Sequence, residues 1–245
     1  MDHEALLRAV ESEGSRFFDV ADTVDTDRKV PACPEWTVED LVRHLGGIQR
    51  WVAAVVEAGE PDSGMSPPQA PAGTDVRVWG REGFEAMLKA FRDKGPDAPC
   101  WNFRPGSPQT AGWWYRRQAL EAAVHRHDIE AAAGIPARPV DPALAVEGVD
   151  EMLCDMLPAL RQRGAADALH GTLHLHATDE DGEWWVDFDA EPVAAIREHK
   201  KAETALRGPA SGLFLWLWNR QKISEDSFEV FGSEEILAAW GKVRI

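Results

Sequence analysis

The first half of the chain is dominated by long segments in which apolar residues recur at helical spacing. Each of these segments predicts a helix with one apolar face, which must be buried by packing against a neighbour. Four such helices in succession therefore predict a helical bundle. Loops rich in Pro, Gly, Ser and Ala are expected at 61–74 and 95–109. The predicted helices are one near the N-terminus that ends before the turn at 31–34, followed by 37–59, 76–92 and 111–133.

Local signals define where the second helix begins and where the fourth one ends. Thr37 precedes Asp40 by three residues, so the Thr37 hydroxyl can cap the backbone N–H of Asp40, while Trp36 can pack on Leu41. The fourth helix ends at Gly134, which is followed closely by a proline. Glycine then proline is a common helix ending, because glycine adopts the left-handed conformation and proline cannot continue the helix.

After residue 139 the pattern changes to shorter segments, several of which alternate apolar and polar residues. This pattern predicts a small domain of strands and helices. The strands are expected at 172–177, 184–189, 202–207 and 227–231, and the helices at 143–163, 211–219 and 234–242. The predicted fold class is therefore α+β overall, with a four-helix bundle over residues 1–139 and an α+β domain over residues 140–245.

Size and charge limit the classes of partner. The 245 residues are 44% apolar and carry a formal net charge of −16, without a long run of basic residues. This composition describes a globular protein that binds neither nucleic acid nor anionic lipid surfaces, because both need clustered Lys and Arg. The first residues lack the basic and apolar regions of a signal peptide, so none is expected. No apolar run approaches the roughly 18 residues of a membrane span. A cytoplasmic location is expected.

The three cysteines, Cys33, Cys100 and Cys154, lie far apart and form no CxxC pair. This spacing favours neither a disulfide framework nor a cysteine-based zinc site. Any one of them could act as a nucleophile, but buried and inert thiols are the preferred interpretation.

Glu121 and His125 form the most suggestive pair of polar residues. Four residues apart on the fourth helix, they lie about 40° from each other around its axis, one turn apart. His127 points about 120° away from Glu121 and cannot join the same site without unwinding the helix. His44 lies at the edge of the apolar face of the second helix, beside Ile48, so the bundle could bring it to the pair.

Two interpretations of these three residues follow from spacing alone. Two histidines and one carboxylate would hold a metal ion while leaving coordination positions open for water or substrate. Alternatively, Glu121 and His125 form a solvated i,i+4 pair and His44 is a histidine at the edge of the core. An ExxxH pair is a weak pattern, so spacing does not decide between them.

Two segments resemble the signature of a known family. The run from Cys33 to Gly47 (CPEWTVEDLVRHLGG) and the run from Arg116 to Asp128 (RRQALEAAVHRHD) resemble, in order and composition, the mycothiol-dependent maleylpyruvate isomerase family. Leu120 and His127 depart from the family pattern, and neither is a ligand position. The C-terminal half resembles the sterol-carrier-like domain that often follows the bundle in this family.

The resemblance implies a DinB-like four-helix bundle that binds one divalent ion, Zn²⁺ by preference, through His44, Glu121 and His125. It also implies mycothiol as a co-substrate, so that a metal-activated thiol reacts with a small electrophilic substrate, either in isomerisation or in S-transfer. Residues for the co-substrate are expected on the same face of the fourth helix: Arg117 and Gln118 could face an anionic thiol or substrate, or they could be solvated helix residues. Asp128 could hold an imidazole N–H or a ligand hydroxyl, or it could be a helix-terminal charge paired with a neighbouring arginine.

A second class of function is also compatible with the sequence, namely a metal- and small-ligand-binding protein without turnover. Four tryptophans of the C-terminal half could line an apolar pocket for such a ligand, although core packing is the preferred interpretation. His174 and His176 share one face of a predicted strand, as a pair of metal ligands would. Because spacing indicates no third ligand, we interpret them as residues of a cross-strand packing or solvent face. The tryptophans are Trp184, Trp185, Trp216 and Trp218.

Overall fold

The structure is a computed structural model that describes residues 1–60, 66–104, 106–224 and 226–245. The chain forms two compact units, Met1–Arg138 and Pro139–Ile245. The loops predicted at 61–74 and 95–109 fall in part on residues 61–65 and 105, which lie outside the described residues.

The first unit is built on a bundle of long helices, as predicted. Helix α1 packs on α4, α2 packs on α3, and α2 also contacts α4. All of them contribute fully buried apolar side chains, among them Phe17, Val52, Phe91 and Leu120. The helices span His3–Ala21 (α1), Val38–Ala58 (α2), Val76–Lys94 (α3) and Ala111–Ala133 (α4).

A short antiparallel hairpin, β1 (Lys29–Val30) and β2 (Cys33–Thr37), precedes α2. The sequence predicted only a turn here, because β1 has two residues and is too short to show alternation. The predicted cap of α2 is confirmed: the Thr37 hydroxyl accepts a hydrogen bond from the backbone N–H of Asp40 at 3.2 Å. In return, Oδ2 of Asp40 accepts one from the backbone N–H of Thr37 at 2.8 Å. The hairpin therefore leads directly into the first turn of α2.

A buried network of ion pairs connects α4 to α1. The guanidinium of Arg126 donates from Nε to Glu13 at 2.6 Å and from Nη1 to Glu130 at 2.8 Å. Arg16 donates to the other carboxylate oxygen of Glu130 at 2.8 Å. Arg126 lies five residues after Glu121, about 140° around the helix. The network therefore occupies a different side of α4 from Glu121 and fixes the rotation of that helix in the bundle.

Helices α2 and α3 approach each other closely at two glycines. A Cβ atom on Gly46 would lie 2.6 Å from Cα of Gly80, and 3.1 Å from the Trp79 ring. Real Cβ atoms do not tolerate such a backbone contact, so Gly46 is required for this helix spacing. His44 lies two residues earlier on the same helix.

The second unit begins with a helical segment that matches the linking helix predicted at 143–163. It consists of α5 (Pro142–Glu151), a π-helical segment (Met152–Met156) and α6 (Leu157–Gln162). A five-stranded sheet follows with the order β5-β4-β3-β6-β7, in which β3 and β6 are parallel and the other neighbouring pairs are antiparallel. The strands are β3 (Thr172–Ala177), β4 (Glu183–Asp187), β5 (Ala194–Ile196), β6 (Thr204–Gly208) and β7 (Glu229–Gly232).

The remaining helices of this unit are α7 (Ala210–Leu217) and α8 (Glu235–Trp240). Helix α7 is buried against α5, β3 and β6. Trp184 and Trp216 are nearly inaccessible to solvent, and the Trp216 ring lies 5.6 Å from that of Trp240. The core interpretation is thus confirmed for Trp184, whereas Trp216, although buried, also lines a pocket of about 810 Å³. No helix within the described ranges is both long and apolar enough to cross a membrane.

Candidate metal centre

The contact between α2 and α4 brings His44, Glu121 and His125 together. Oε1 of Glu121 lies 3.2 Å from Nε2 of His44 and 3.2 Å from Nε2 of His125. The two imidazole rings are 5.0 Å apart between centroids and nearly perpendicular. One atom from each of the three residues therefore converges on a common point. His127 does not belong to this group.

These separations fit a shared metal ion. Ligands about 2.0–2.1 Å from a tetrahedral Zn²⁺ lie about 3.3–3.4 Å from one another. The side chains of Glu121 and His125 are 9% and 8% exposed, whereas that of His44 is 34% exposed. Two of the three potential ligands are thus buried, and the third, His44, is partly exposed to solvent.

Asp128 determines which nitrogen of His125 faces Glu121. Its fully buried carboxylate lies 3.0 Å from Nδ1 of His125 and accepts the hydrogen of that nitrogen. In a neutral His125 the lone pair of Nε2 then faces a lone pair of the Glu121 carboxylate. Two lone pairs at this distance repel each other unless a proton or a metal cation lies between them. The donor set therefore fits a cation.

Without a metal ion, a proton takes that position. Burial acts to lower the pKa of His125, but hydrogen bonds to Asp128 and Glu121 raise it to about 9. Burial acts to raise the pKa of Glu121, but the Arg117 guanidinium and the two histidines hold it well below its usual range. The carboxylate is therefore ionised at neutral pH, as a metal ligand must be.

Arg117 pairs with Glu121 one turn before it on α4, through the carboxylate oxygen Oε2. Its positive charge is thus directed to the carboxylate that was predicted to bind metal. Oε1 remains the atom that faces the two histidines. Gln118 is almost fully buried, and its amide oxygen has no hydrogen-bond partner in the part of the chain that the structure describes.

Trp36 is a site residue that the sequence did not indicate as one. Its ring lies 4.9 Å from that of His44 and 6.4 Å from that of His125. The sequence assigned it only a packing role at the start of α2. A pocket of about 740 Å³ opens beside these residues. Its lining includes Trp36, Asp40, Arg43, His44, Ile48 and Gln69.

The second unit gathers another group of potential ligands. His174 and His176 lie close to Glu183 and His199, and each of the four offers an atom within 4.8 Å of the others. Glu183 and His199 were not predicted as potential ligands from the sequence. The hairpin was the available signal for Glu183, because pairing across the turn at 179–182 sets His176 opposite Glu183. His199 follows the short strand β5 and gives no spacing signal.

Comparisons with known proteins match both halves of the chain. The family model of the mycothiol maleylpyruvate isomerase N-terminal domain matches residues 7–130, and that of the MDMPI C-terminal domain matches residues 143–239. No curated protein is significantly similar in sequence.

Two solved structures share the fold. One is a crystal structure of the mycothiol-dependent maleylpyruvate isomerase, at 14% identity and a TM-score of 0.61, and the other is that of a histidine-to-alanine mutant, at 12% identity and a TM-score of 0.62. In both cases the match covers 94% of this chain and 93% of the other. With both domain models matched in order, the chain belongs to the mycothiol-dependent maleylpyruvate isomerase family.

Proposed function

We propose that this protein is an enzyme that uses mycothiol as co-substrate and a divalent metal ion to isomerise maleylpyruvate or a closely related unsaturated acid. The observation that carries the proposal is the convergence of His44, Glu121 and His125 on one point. Membership of the family supports mycothiol as the co-substrate and an unsaturated acid of the maleylpyruvate type as the substrate.

His44, Glu121 and His125 are the proposed ligands. Two imidazoles and one carboxylate favour Zn²⁺ among the common divalent ions. When bound, the ion supplies positive charge that stabilises a thiolate at neutral pH, at a position that the protein ligands leave open. Asp128 orients His125, and the Trp36 ring packs beside the rings of His44 and His125.

The reaction needs only a nucleophilic thiolate and room for the substrate to rotate. Addition of the thiolate sulfur to the conjugated double bond forms a C–S bond and moves the C=C electron pair onto the adjacent carbonyl group as an enolate, which leaves a C–C single bond about which rotation is possible. Collapse of the enolate re-forms the double bond in the trans geometry, breaks the C–S bond and returns the thiolate. The pocket beside His44 supplies space for this change. Addition without elimination would give S-conjugation instead.

Gln118 is proposed to assist binding of the co-substrate, and Arg117 is proposed to support the metal ligand Glu121. The unpartnered amide oxygen of Gln118 can accept a hydrogen bond from an N–H or O–H group of mycothiol. Arg117 acts chiefly by keeping Glu121 ionised, since its guanidinium is paired with that carboxylate. Asp128 is assigned to the support of His125 rather than to direct contact with the thiol.

The test is isomerisation of maleylpyruvate by the full-length protein, followed by chromatography, with and without mycothiol and with and without bound Zn²⁺. We expect turnover only when both are present. His125→Ala should abolish it, whereas His127→Ala is the matched control, because it removes the same side chain from the same helix outside the cluster.

A binding protein without turnover is the competing function. It would hold metal or thiol with unchanged affinity in the presence of substrate, and it would form neither isomer nor conjugate. Release of a thioether product, detected by mass spectrometry across several electrophiles, would instead identify an S-transferase and exclude isomerisation as the main activity.

A further inference from the structure

We propose that His174, His176, Glu183 and His199 form a second binding site for a divalent cation, of the Zn²⁺ type, on the sheet of the C-terminal unit. This site goes beyond the proposed activity. None of its four residues takes part in the bundle site.

The sheet itself brings the first three residues together. His174 and His176 are two positions apart on β3, so their side chains leave the same face of the sheet. Strand β4 pairs antiparallel with β3, and in that register Glu183 lies directly opposite His176. Three potential ligands are therefore fixed by backbone pairing, and His199 approaches them from the segment after β5.

The Glu183 carboxylate lies in the middle of the group. Its Oε1 is 2.7 Å from Nδ1 of His176, and its Oε2 is 2.7 Å from Nδ1 of His199 and 3.6 Å from Nε2 of His174. The rings of His174 and His199 are 5.1 Å apart and nearly perpendicular, and those of His174 and His176 are 6.1 Å apart. Each of the four residues thus offers one potential ligand atom within 4.8 Å of the others.

His174 supplies an independent observation that points to a ligand. Its side chain is 10% exposed, and its Nε2 atom is buried without a hydrogen-bond partner among the residues described. A buried polar nitrogen left unsatisfied costs about 1–3 kcal/mol. The nitrogen is directed at the Glu183 carboxylate, yet it lies too far from it for a hydrogen bond. A cation between the two would give this nitrogen the partner that it lacks.

The donor set determines the kind of ion and its role. Three imidazole nitrogens and one carboxylate oxygen favour Zn²⁺ over Ca²⁺ or Mg²⁺, which prefer oxygen ligands. Four protein ligands fill a tetrahedral shell, as in structural zinc sites, whereas the bundle cluster leaves positions open. We therefore assign the second site to stabilisation of β3, β4 and the segment that carries His199.

The experiment is a Zn²⁺ titration of the full-length, chelator-stripped protein against a chromophoric competitor. The wild type should bind two ions per chain, and His125→Ala and His199→Ala one each. His199 is the best position to change, because its side chain is 79% exposed and its loss should not disturb the fold. His170→Ala, which removes an exposed histidine of the same unit that pairs with Asp189, is the matched control and should still bind two.

A second readout separates this site from the bundle site. In the His125→Ala protein, Zn²⁺ should raise the unfolding temperature, because the remaining ion binds only the folded state. That shift should disappear when His199→Ala or Glu183→Gln is added. Zn²⁺ affinity should fall by more than about 100-fold in these double variants, since loss of even an outer partner of a ligand typically costs 10- to 100-fold.

The two proposals can fail separately. If wild type binds one ion that His199→Ala loses and His125→Ala keeps, the second site stands and the bundle site is wrong. The second site is overturned if His199→Ala and Glu183→Gln bind as many ions as the wild type, with the same affinity.

Discussion

Nδ1 of His125 lies 3.0 Å from Oδ2 of Asp128, one turn further along α4. Both side chains are buried, so this contact fixes the ring orientation and leaves Nε2 directed at Glu121. A carboxylate behind a histidine in this way raises the basicity of the imidazole and holds it in one tautomer.

Asp128→Asn should weaken Zn²⁺ binding at the bundle site by about 10- to 100-fold, because the amide lacks the charge that supports His125. The measurement is Zn²⁺ affinity by competition in the His199→Ala background, which isolates the bundle ion. Asp93→Asn changes an exposed carboxylate of α3 and should leave the affinity unchanged. Equal affinities for Asp128→Asn and its parent would show that the contact does not support metal binding.

Glu130→Gln should destabilise the protein strongly at pH 7, because Arg126 would lose one of its buried charged partners. Removing one member of a buried ion pair typically costs about 3–5 kcal/mol of unfolding free energy. Glu82→Gln, in an exposed pair with Arg50, is the control and should cost less than about 1 kcal/mol. Urea unfolding measures both, and similar losses for the two variants would contradict the role of the network.

The contribution of Glu130 to the free energy of unfolding should depend on pH. Burial acts to raise the pKa of Glu130, but hydrogen bonds from Arg16 and Arg126 hold it below its ordinary value of 4.5. A carboxyl group whose pKa is lowered by folding contributes its full stabilisation above the pKa that it has in the unfolded chain. That contribution is lost as the pH falls through the pKa of the folded protein. The stability difference between wild type and Glu130→Gln should therefore shrink below about pH 4.5. A difference that grows on acidification would contradict this assignment.

The expectation of buried thiols is confirmed for Cys100 but was wrong for the half-buried Cys33 and the exposed Cys154. Cys100 should resist alkylation. Burial raises the pKa of its thiol to about 11, so almost none of it is thiolate at neutral pH. Iodoacetamide at pH 7.5 should label the exposed Cys154 first and Cys100 last, as followed by peptide mass spectrometry. In denaturant all three cysteines should react alike. Rapid labelling of Cys100 in the folded protein would reopen the question of an internal thiol nucleophile.

Gly46→Ala should destabilise the bundle, since its added methyl group would meet the backbone of Gly80 at 2.6 Å. Overpacking of this kind costs about 1–3 kcal/mol, measured as a lower unfolding temperature. At Gly241 a methyl group would make only ordinary contacts, the nearest at 3.7 Å, so Gly241→Ala is the control. If Gly46→Ala is as stable as this control, the close helix approach is not a constraint.

Local signals predicted the elements that carry the bundle site. The cap at Thr37 marked the beginning of α2, and the left-handed Gly134 marked the end of α4. Helical periodicity placed Glu121 and His125 on one face of α4. These features depend on residues within one or two turns, which a sequence displays directly. That is why helix bounds could be predicted closely.

Features that depend on distant residues could not be predicted in this way. One of the two carboxylate partners of Arg126 is Glu13, which is 113 positions away, and nothing in either segment indicates the other. In the second cluster the hairpin of β3 and β4 offered a signal for Glu183, but no pattern indicates the path of the chain after β5 that brings His199 to it. Strand β5 has three residues and was missed because so short a segment shows no periodicity.

The most direct test of the account is the near-ultraviolet absorption spectrum of the Co²⁺-loaded protein on addition of mycothiol. A thiolate bound at an open metal position should produce a thiolate-to-cobalt charge-transfer band. The account predicts this band in the wild type and in His199→Ala, and its loss in His125→Ala. If mycothiol produces no band in the wild type, or the same band in His125→Ala, the proposed site at His44, Glu121 and His125 is wrong.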